Sequence, residues 1–197
     1  MEWIPAFKLG LWNAWILMLI YPLQPYLLML VDKVVGQGDV LNKMGSAPAD
    51  PREKRLNLVF TAILWVMLAY SFFLPLKLGT PWLFTGLVVY LTGLAILLST
   101  MVTASRAKQG QLFTGGMYRI SRHPMYLAQL MFYLGAGISS ASWIFLVLAA
   151  ALVGIMREQV EFEEKGCVEL FGSAYREYMR VTPKWLGVPK AKGLEQV

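Results

Sequence analysis

Four long stretches of the chain contain no Lys, Arg, Asp or Glu, and this feature restricts the possible folds more than any other. A helix needs about 20 apolar residues to cross a hydrocarbon core about 30 Å thick. The first three stretches therefore predict one transmembrane helix each, and the fourth is too long for one ordinary crossing. The stretches are Leu9–Val31, Leu56–Leu76, Leu78–Ser105 and His123–Met156.

The composition also indicates a chain embedded in lipid. Hydrophobic residues make up 57% of the sequence and charged residues 15%, whereas about a quarter of the residues in a soluble domain are charged. Such an apolar composition excludes intrinsic disorder. The only cysteine, Cys167, excludes a scaffold of intrachain disulfides. We therefore predict one all-α membrane domain over residues 1–197.

The fourth stretch contains small and polar residues near its middle. Gly135, Gly137 and the run Ser139-Ser140-Ala141-Ser142 favour two short helices, about residues 124–138 and 142–157, joined by a tight turn. Fifteen residues cover only about 22 Å, less than a full bilayer. The alternative is one kinked helix of about 33 residues.

The positions of the cations favour the two-helix interpretation. Every Lys and Arg except Lys8 and Lys77 follows the first, the third or the last predicted span. Loops rich in Lys and Arg stay cytoplasmic. We therefore predict about five crossings, with the N-terminus outside and the C-terminus cytosolic. Basic loops also account for the net charge of +6, and no pattern indicates nucleic-acid binding.

Polar residues concentrate in two segments that flank the predicted hairpin, 112–126 and 157–178. The first contains His123, the only histidine, so no metal site is expected, since zinc needs three or four such ligands. The second contains the carboxylates Glu158, Glu161, Glu163 and Glu164. A structural explanation stays open for both, because Pro124 suits the first position of a helix and the carboxylates suit a solvated helix.

Several other classes of function lack their sequence signals. The chain has no Gly-x-Gly-x-x-Gly, no Walker loop and no Gly-x-Ser-x-Gly, which disfavours a soluble dinucleotide domain, an ATPase and a serine hydrolase. No Lys, Arg, Asp or Glu lies within the four apolar stretches, so ion or proton pumping has little support.

The spacing of the polar residues resembles the isoprenylcysteine carboxyl methyltransferase family and the related integral-membrane phospholipid methyltransferases. The resemblance covers about residues 110–186 and includes Arg122-His123-Pro124-x-Tyr126, the Glu163-Glu164 pair, Phe171-Gly172, Tyr175, Tyr178 and the segment from Thr182 to Leu186. It implies an all-helical membrane enzyme that uses S-adenosylmethionine, with residues 1–105 as scaffold and 106–197 as the cofactor-binding, catalytic half.

The resemblance also implies roles for individual residues. From their chemistry we predict that His123 and Arg122 are catalytic. Arg122 would steady an anionic part of the acceptor or of a lipid headgroup, and His123 would orient the donor or take a proton from an amine or thiol acceptor. A family arginine assigned to the substrate meets Gln159 here, and Arg157 is two residues out of register. The residues implied to bind the cofactor are Gln111, Leu112, Phe113, Tyr118, His123, Pro124, Met125, Tyr126 and Glu163, with Glu164 as the alternative carboxylate.

The donor chemistry agrees with these residue types. S-adenosylmethionine carries a sulfonium and an ammonium, which a carboxylate such as Glu163 would bind, and Tyr118 and Tyr126 offer aromatic faces. The apolar spans predict a lipid-like or small hydrophobic acceptor that enters from the bilayer. The alternatives are a phospholipid N-methyltransferase or a thiol S-methyltransferase of the same fold, an NADPH-dependent enzyme of the sterol-reductase type, or a non-enzymatic membrane adaptor.

Overall fold

The computed structural model describes residues 8–36, 40 and 50–188, and the regular secondary structure in these residues is helical. Three of the cations used in the topology argument, Lys43, Lys190 and Lys192, lie outside the described residues. The helices are α1 (Trp15–Met18), α2 (Ile20–Val35), α3 (Pro51–Ser71), α4 (Pro81–Arg106), a 3₁₀ helix (Gly116–Arg119), α5 (Pro124–Ser139), α6 (Trp143–Phe171) and α7 (Ser173–Val181).

Three helical segments of the described chain are long and apolar enough to cross a membrane: Trp15–Val35, Pro81–Arg106 and Trp143–Phe171. This confirms an all-α fold with three candidate membrane-spanning helices. Helix α3 begins with a charged turn that contains Arg52, Glu53, Lys54 and Arg55, and α5 has only 16 residues, about 24 Å of helix. The total of five crossings and the cytosolic position of the C-terminus stay predictions.

The fourth apolar stretch forms two helices, as predicted, and the single kinked helix is excluded. Helix α5 ends at Ser139 and α6 begins at Trp143. Between them Ala141 has a positive φ of 52°, and the Ser142 N–H donates back to the Gly137 carbonyl at 3.0 Å, which ends α5. The Ser142 Oγ then accepts a hydrogen bond of 3.3 Å from the Phe145 N–H, satisfying a free donor in the first turn of α6.

Two details of that prediction were wrong. Gly135 and Gly137 lie within α5 rather than at the break. A Cβ atom at Gly135 would lie 2.8 Å from the Gly86 carbonyl oxygen, so this glycine permits close packing of α5 against α4. Helix α6 continues to Phe171 rather than ending near 157, because a change from apolar to charged residues marks the end of an apolar span and does not terminate a helix.

The described residues form two compact units that interleave along the chain. The first comprises residues 8–24, 50–95 and 128–159, and the second comprises 25–36, 40, 96–127 and 160–188. In the first unit, the Tyr90 hydroxyl donates to the Leu17 carbonyl at 2.9 Å, and the Lys77 N–H donates to the Ser139 carbonyl at 2.9 Å. The scaffold and catalytic halves inferred from the sequence stay a prediction.

Candidate active site

The loop before α5 is shaped by local hydrogen bonds. Gly116 opens the 3₁₀ helix with a φ of +53°, and a Cβ atom there would lie 2.6 Å from the Thr103 Oγ1. The Ser121 Oγ accepts the His123 N–H at 3.1 Å, and Pro124 occupies the first position of α5. The helix-start explanation of this segment is therefore correct, and it is compatible with a functional histidine.

Both ring nitrogens of His123 face carboxylates of α6. Its Nε2 lies 3.1 Å from the Glu164 Oε1, and its Nδ1 lies 3.5 Å from the Glu163 Oε2. The rings of Tyr126 and Trp185 lie with their centroids 6.0 Å and 6.3 Å from that of the imidazole. The buried histidine thus lies close to two acidic side chains and two aromatic rings.

Glu164 is the buried member of the carboxylate pair, with a side chain only 10% exposed. Its Oε1 accepts from Arg122 Nε at 2.9 Å and lies 2.8 Å from Arg122 Nη2. Its Oε2 lies 3.0 Å from Lys184 Nζ. Two cations and one imidazole therefore surround this carboxylate. We call Arg122, His123, Glu163, Glu164 and Lys184 the His123 cluster.

Glu163 has different surroundings, although it is the next residue of the same helix. Its side chain is 50% exposed. Within the described part of the chain, no Lys or Arg lies within ion-pair distance of it. Of the two carboxylates in the His123 cluster, Glu163 is therefore the one accessible to a cationic ligand.

The segment after α7 is fixed against the histidine loop. The Arg122 N–H donates to the Pro183 carbonyl at 3.0 Å. Its Nη1 donates to the carbonyls of Met179 at 2.9 Å and Thr182 at 2.7 Å, and the Ser121 Oγ donates to the Lys184 carbonyl at 3.3 Å. These hydrogen bonds hold the loop before α5 in contact with the chain after α7. A site that contains residues of both segments requires this contact.

Comparison with known proteins agrees with this arrangement. The sequence pattern of a family described as phospholipid methyltransferase matches residues 76–174, half of the chain. The chain belongs to the phospholipid methyltransferase family. The matched segment includes His123, both carboxylates and the hairpin between them.

A curated relative of this family member supports the resemblance found in the sequence. Protein-S-isoprenylcysteine O-methyltransferase B of Arabidopsis thaliana is 28% identical to it over 115 residues. The alignment covers 53% of this chain and 57% of the relative. The chain therefore spans little more than half the length of that curated protein.

The remaining residues that the family resemblance implied differ in their burial. Tyr118 is buried, and its carbonyl accepts the Tyr178 hydroxyl at 2.6 Å. Burial raises the pKa of Tyr178, so this phenol stays protonated and continues to donate. Phe113 lies beside Tyr118, with ring centroids 5.7 Å apart. Pro124 is buried, Leu112 and Met125 are partly buried, and Gln111 lies in an exposed turn.

Gln159 stands where the family resemblance placed a substrate arginine. Its Nε2 donates to the Asn57 Oδ1 at 2.6 Å, and its Oε1 is buried without a hydrogen-bond partner. Arg157 is exposed. The neighbouring ion pair, Arg52 with Glu158 at 2.6 Å, is also exposed. The position of the expected arginine therefore holds a neutral amide.

Two contributors were missed by sequence reasoning. Lys184 is a member of the His123 cluster and Trp185 lies beside the His123 ring, yet neither was assigned a role. The signal was present in the sequence, because both belong to the Thr182–Leu186 segment that carried part of the family resemblance. A groove of about 470 Å³ lies against the outer side of Glu164 and is lined by Glu161, Glu164, Lys165, Val168, Glu169, Met179 and Lys184.

Proposed function

We propose that this protein transfers a methyl group from S-adenosylmethionine to a lipid-like or small hydrophobic acceptor at the cytosolic face of a membrane. The observation that carries this proposal is the pairing of a buried imidazole with an accessible carboxylate, His123 with Glu163, beside long apolar helices. Membership of the phospholipid methyltransferase family supports the same reaction.

The chemistry of the site fits the donor. S-adenosylmethionine is cationic, and the accessible Glu163 carboxylate would hold its positive groups by charge-assisted hydrogen bonds. The Tyr126 and Trp185 rings would provide aromatic faces for adenine or for the sulfonium. When bound, the donor supplies an activated methyl group for in-line displacement, so the protein mainly aligns the reactants and excludes water.

Arg122 would act through other residues rather than on the acceptor. All three of its guanidinium nitrogens have protein partners, and its side chain is 9% exposed. We therefore assign it a positioning role that joins Glu164 to the chain after α7. His123 remains the proposed catalytic residue, because its ring has a nitrogen that faces the accessible carboxylate.

Three acceptor classes follow from the comparisons and from the residues. The relative from Arabidopsis is named as an isoprenylcysteine O-methyltransferase, which supports a prenylcysteine carboxylate. The neutral Gln159 in the place of an arginine removes a partner for such a carboxylate and favours a phospholipid amine or a thiol. To separate these classes, membranes containing the protein would be incubated with methyl-labelled donor. Label in the lipid extract supports the phospholipid, and label in the protein fraction supports the prenylcysteine.

The NADPH-dependent alternative has less support. A 2′-phosphate needs free basic side chains, and the two cations of the His123 cluster, Arg122 and Lys184, are paired with Glu164. A thermal-shift experiment in detergent distinguishes the ligands, because a ligand that binds the folded state must stabilise it. We expect S-adenosylhomocysteine to raise the melting temperature and NADPH to leave it unchanged. The reverse result would overturn the proposed function.

The role of Glu163 has its own test. Replacing it by alanine removes a charge-assisted hydrogen bond worth about 1.5–3 kcal/mol, so the affinity for S-adenosylhomocysteine in calorimetry should fall at least about 10-fold. The protein should remain folded, since Glu163 is half exposed. Glu161→Ala is the matched control, because Glu161 is an exposed carboxylate on the same helix. An unchanged affinity of Glu163→Ala would remove this residue from the site.

A further inference from the structure

The imidazole of His123 faces two carboxylates, but a neutral imidazole carries only one N–H proton. In a neutral ring one nitrogen donates and the other accepts. The Nε2 is 3.1 Å from Glu164 and the Nδ1 is 3.5 Å from Glu163. Only one of the two carboxylates can therefore accept a hydrogen bond from the ring N–H. The ring nitrogen that faces the other carboxylate keeps its lone pair and can accept a hydrogen bond from a ligand.

Glu164 is expected to accept the stronger hydrogen bond from that N–H group. It is closer to the ring than Glu163 is, and its side chain is 10% exposed against 50%. A hydrogen bond to a charged acceptor is stronger in a buried, less polar environment. Its orientation is also fixed, because Arg122 and Lys184 hold its two oxygens. Glu163 has no such cations among the described residues.

We propose that Glu164 is a positioning residue that, in the neutral form of His123, holds the ring N–H proton on Nε2, so that Nδ1 and the Glu163 carboxylate together form a two-acceptor site for a ligand ammonium or N–H group. Two acceptors 3.5 Å apart repel each other unless a hydrogen-bond donor lies between them. A protonated amine would satisfy both. This inference rests on the proposed function and specifies the chemistry that the site binds.

The charged groups around the ring agree with this assignment. Arg122 and Lys184 approach from the loop and from the chain after α7, and both contact Glu164. The Tyr126 and Trp185 rings flank the imidazole. Among the described residues, the charged group facing Nδ1 is Glu163. The Nδ1 side of the ring is therefore the negative side, to which a cation would be attracted.

The chain allows a direct test, since His123 is its only histidine. The ring would be labelled with ¹⁵N and followed by NMR as the pH is raised until one ring proton is lost. We expect the remaining N–H proton to be on Nε2, which leaves Nδ1 unprotonated. A proton on Nδ1 in the wild-type protein would overturn the tautomer assignment, whether or not any variant folds.

Variants of Glu164 test its positioning role. Glu164→Leu removes the acceptor at Nε2 and leaves Glu163 as the carboxylate that faces the ring, so the proton should shift to Nδ1. Glu164→Gln keeps a carbonyl acceptor and should retain the proton on Nε2. Glu169→Leu is the control, because Glu169 is an exposed carboxylate of α6 outside the His123 cluster. If Glu164→Leu kept the wild-type tautomer, Glu164 would not be the positioning residue.

Ligands test the two-acceptor site and identify the source of the amine. A change in the Nδ1 signal with S-adenosylhomocysteine but not with methylthioadenosine, which lacks the amino-acid part, would assign the ammonium of the donor. A change in phosphatidylethanolamine but not in phosphatidylcholine nanodiscs would assign an amine acceptor, because choline has no N–H. No response to any of these probes would overturn the two-acceptor site. That outcome is distinct from failure of the proposed function, which the thermal-shift experiment reports.

Discussion

Two of the Arg–Glu pairs in the described part of the chain, Arg122–Glu164 and Arg52–Glu158, have similar N···O distances and different burial, and they should differ strongly in coupling energy. Arg122 and Glu164 approach to 2.8 Å with side chains 9% and 10% exposed. Arg52 and Glu158 approach to 2.6 Å with side chains 70% and 43% exposed. Solvent screens the exposed pair, so its coupling should be about 0.2–1 kcal/mol.

The buried pair should show a larger coupling. Removing one partner of a buried pair costs about 3–5 kcal/mol, because the other charge is left without compensation. Arg122 also donates to two carbonyls of residues 179 and 182, and that part of the loss does not depend on Glu164. We therefore expect a coupling energy of about 2–3 kcal/mol between Arg122→Met and Glu164→Gln.

Double-mutant cycles in mixed micelles, followed by circular dichroism, would measure both couplings. Arg52→Met and Glu158→Gln form the matched cycle. Added salt should weaken the exposed coupling and leave the buried one nearly unchanged. Equal coupling energies in the two cycles would refute the reasoning, because burial would then not determine the strength of the pair.

Two further predictions concern stability. Gly135→Ala should destabilise the protein by about 1–3 kcal/mol, because the new Cβ would lie 2.8 Å from the Tyr90 Cβ. Gly154→Ala is the control and should be neutral or slightly stabilising, since a Cβ there would meet no atom within 4 Å. Equal changes in melting temperature for the two variants would contradict this packing. Burial raises the pKa of Tyr178 above its ordinary value of 10.0, so the stability it contributes is present below pH 10 and is lost above it. The melting temperature of Tyr178→Phe should therefore fall less steeply above pH 10 than that of the wild type, and parallel curves would contradict this.

The hairpin could be predicted from the sequence, but its packing could not. Small polar residues at 139–142 interrupt the apolar run, and one helix ends and the next begins there. Gly135 was wrongly grouped with that turn, because a glycine that ends a helix and a glycine that admits a neighbouring helix look alike in one sequence. Only the position of Gly86 against it distinguishes the two.

The members of the candidate site were largely predictable, although their roles were not. The spacing of His123, Glu163 and Glu164 carried the family resemblance, and the structure brings all three together. Arg122 was predicted to bind the acceptor, and in the structure its guanidinium contacts Glu164 and backbone carbonyls. These contacts of Arg122 depend on where the chain after α7 lies, and no local sequence pattern specifies that position.

The sequence by itself determined that the chain is a helical membrane protein, because long runs without charge fit a bilayer, and it determined which polar residues flank the hairpin. Only the tertiary structure decided which of Glu163 and Glu164 is buried and which is accessible. Neighbouring residues on a helix point about 100° apart, so one carboxylate turns toward Arg122 and Lys184 and becomes buried. The other remains half exposed beside His123. Two identical side chains thus acquire different chemistry from their surroundings.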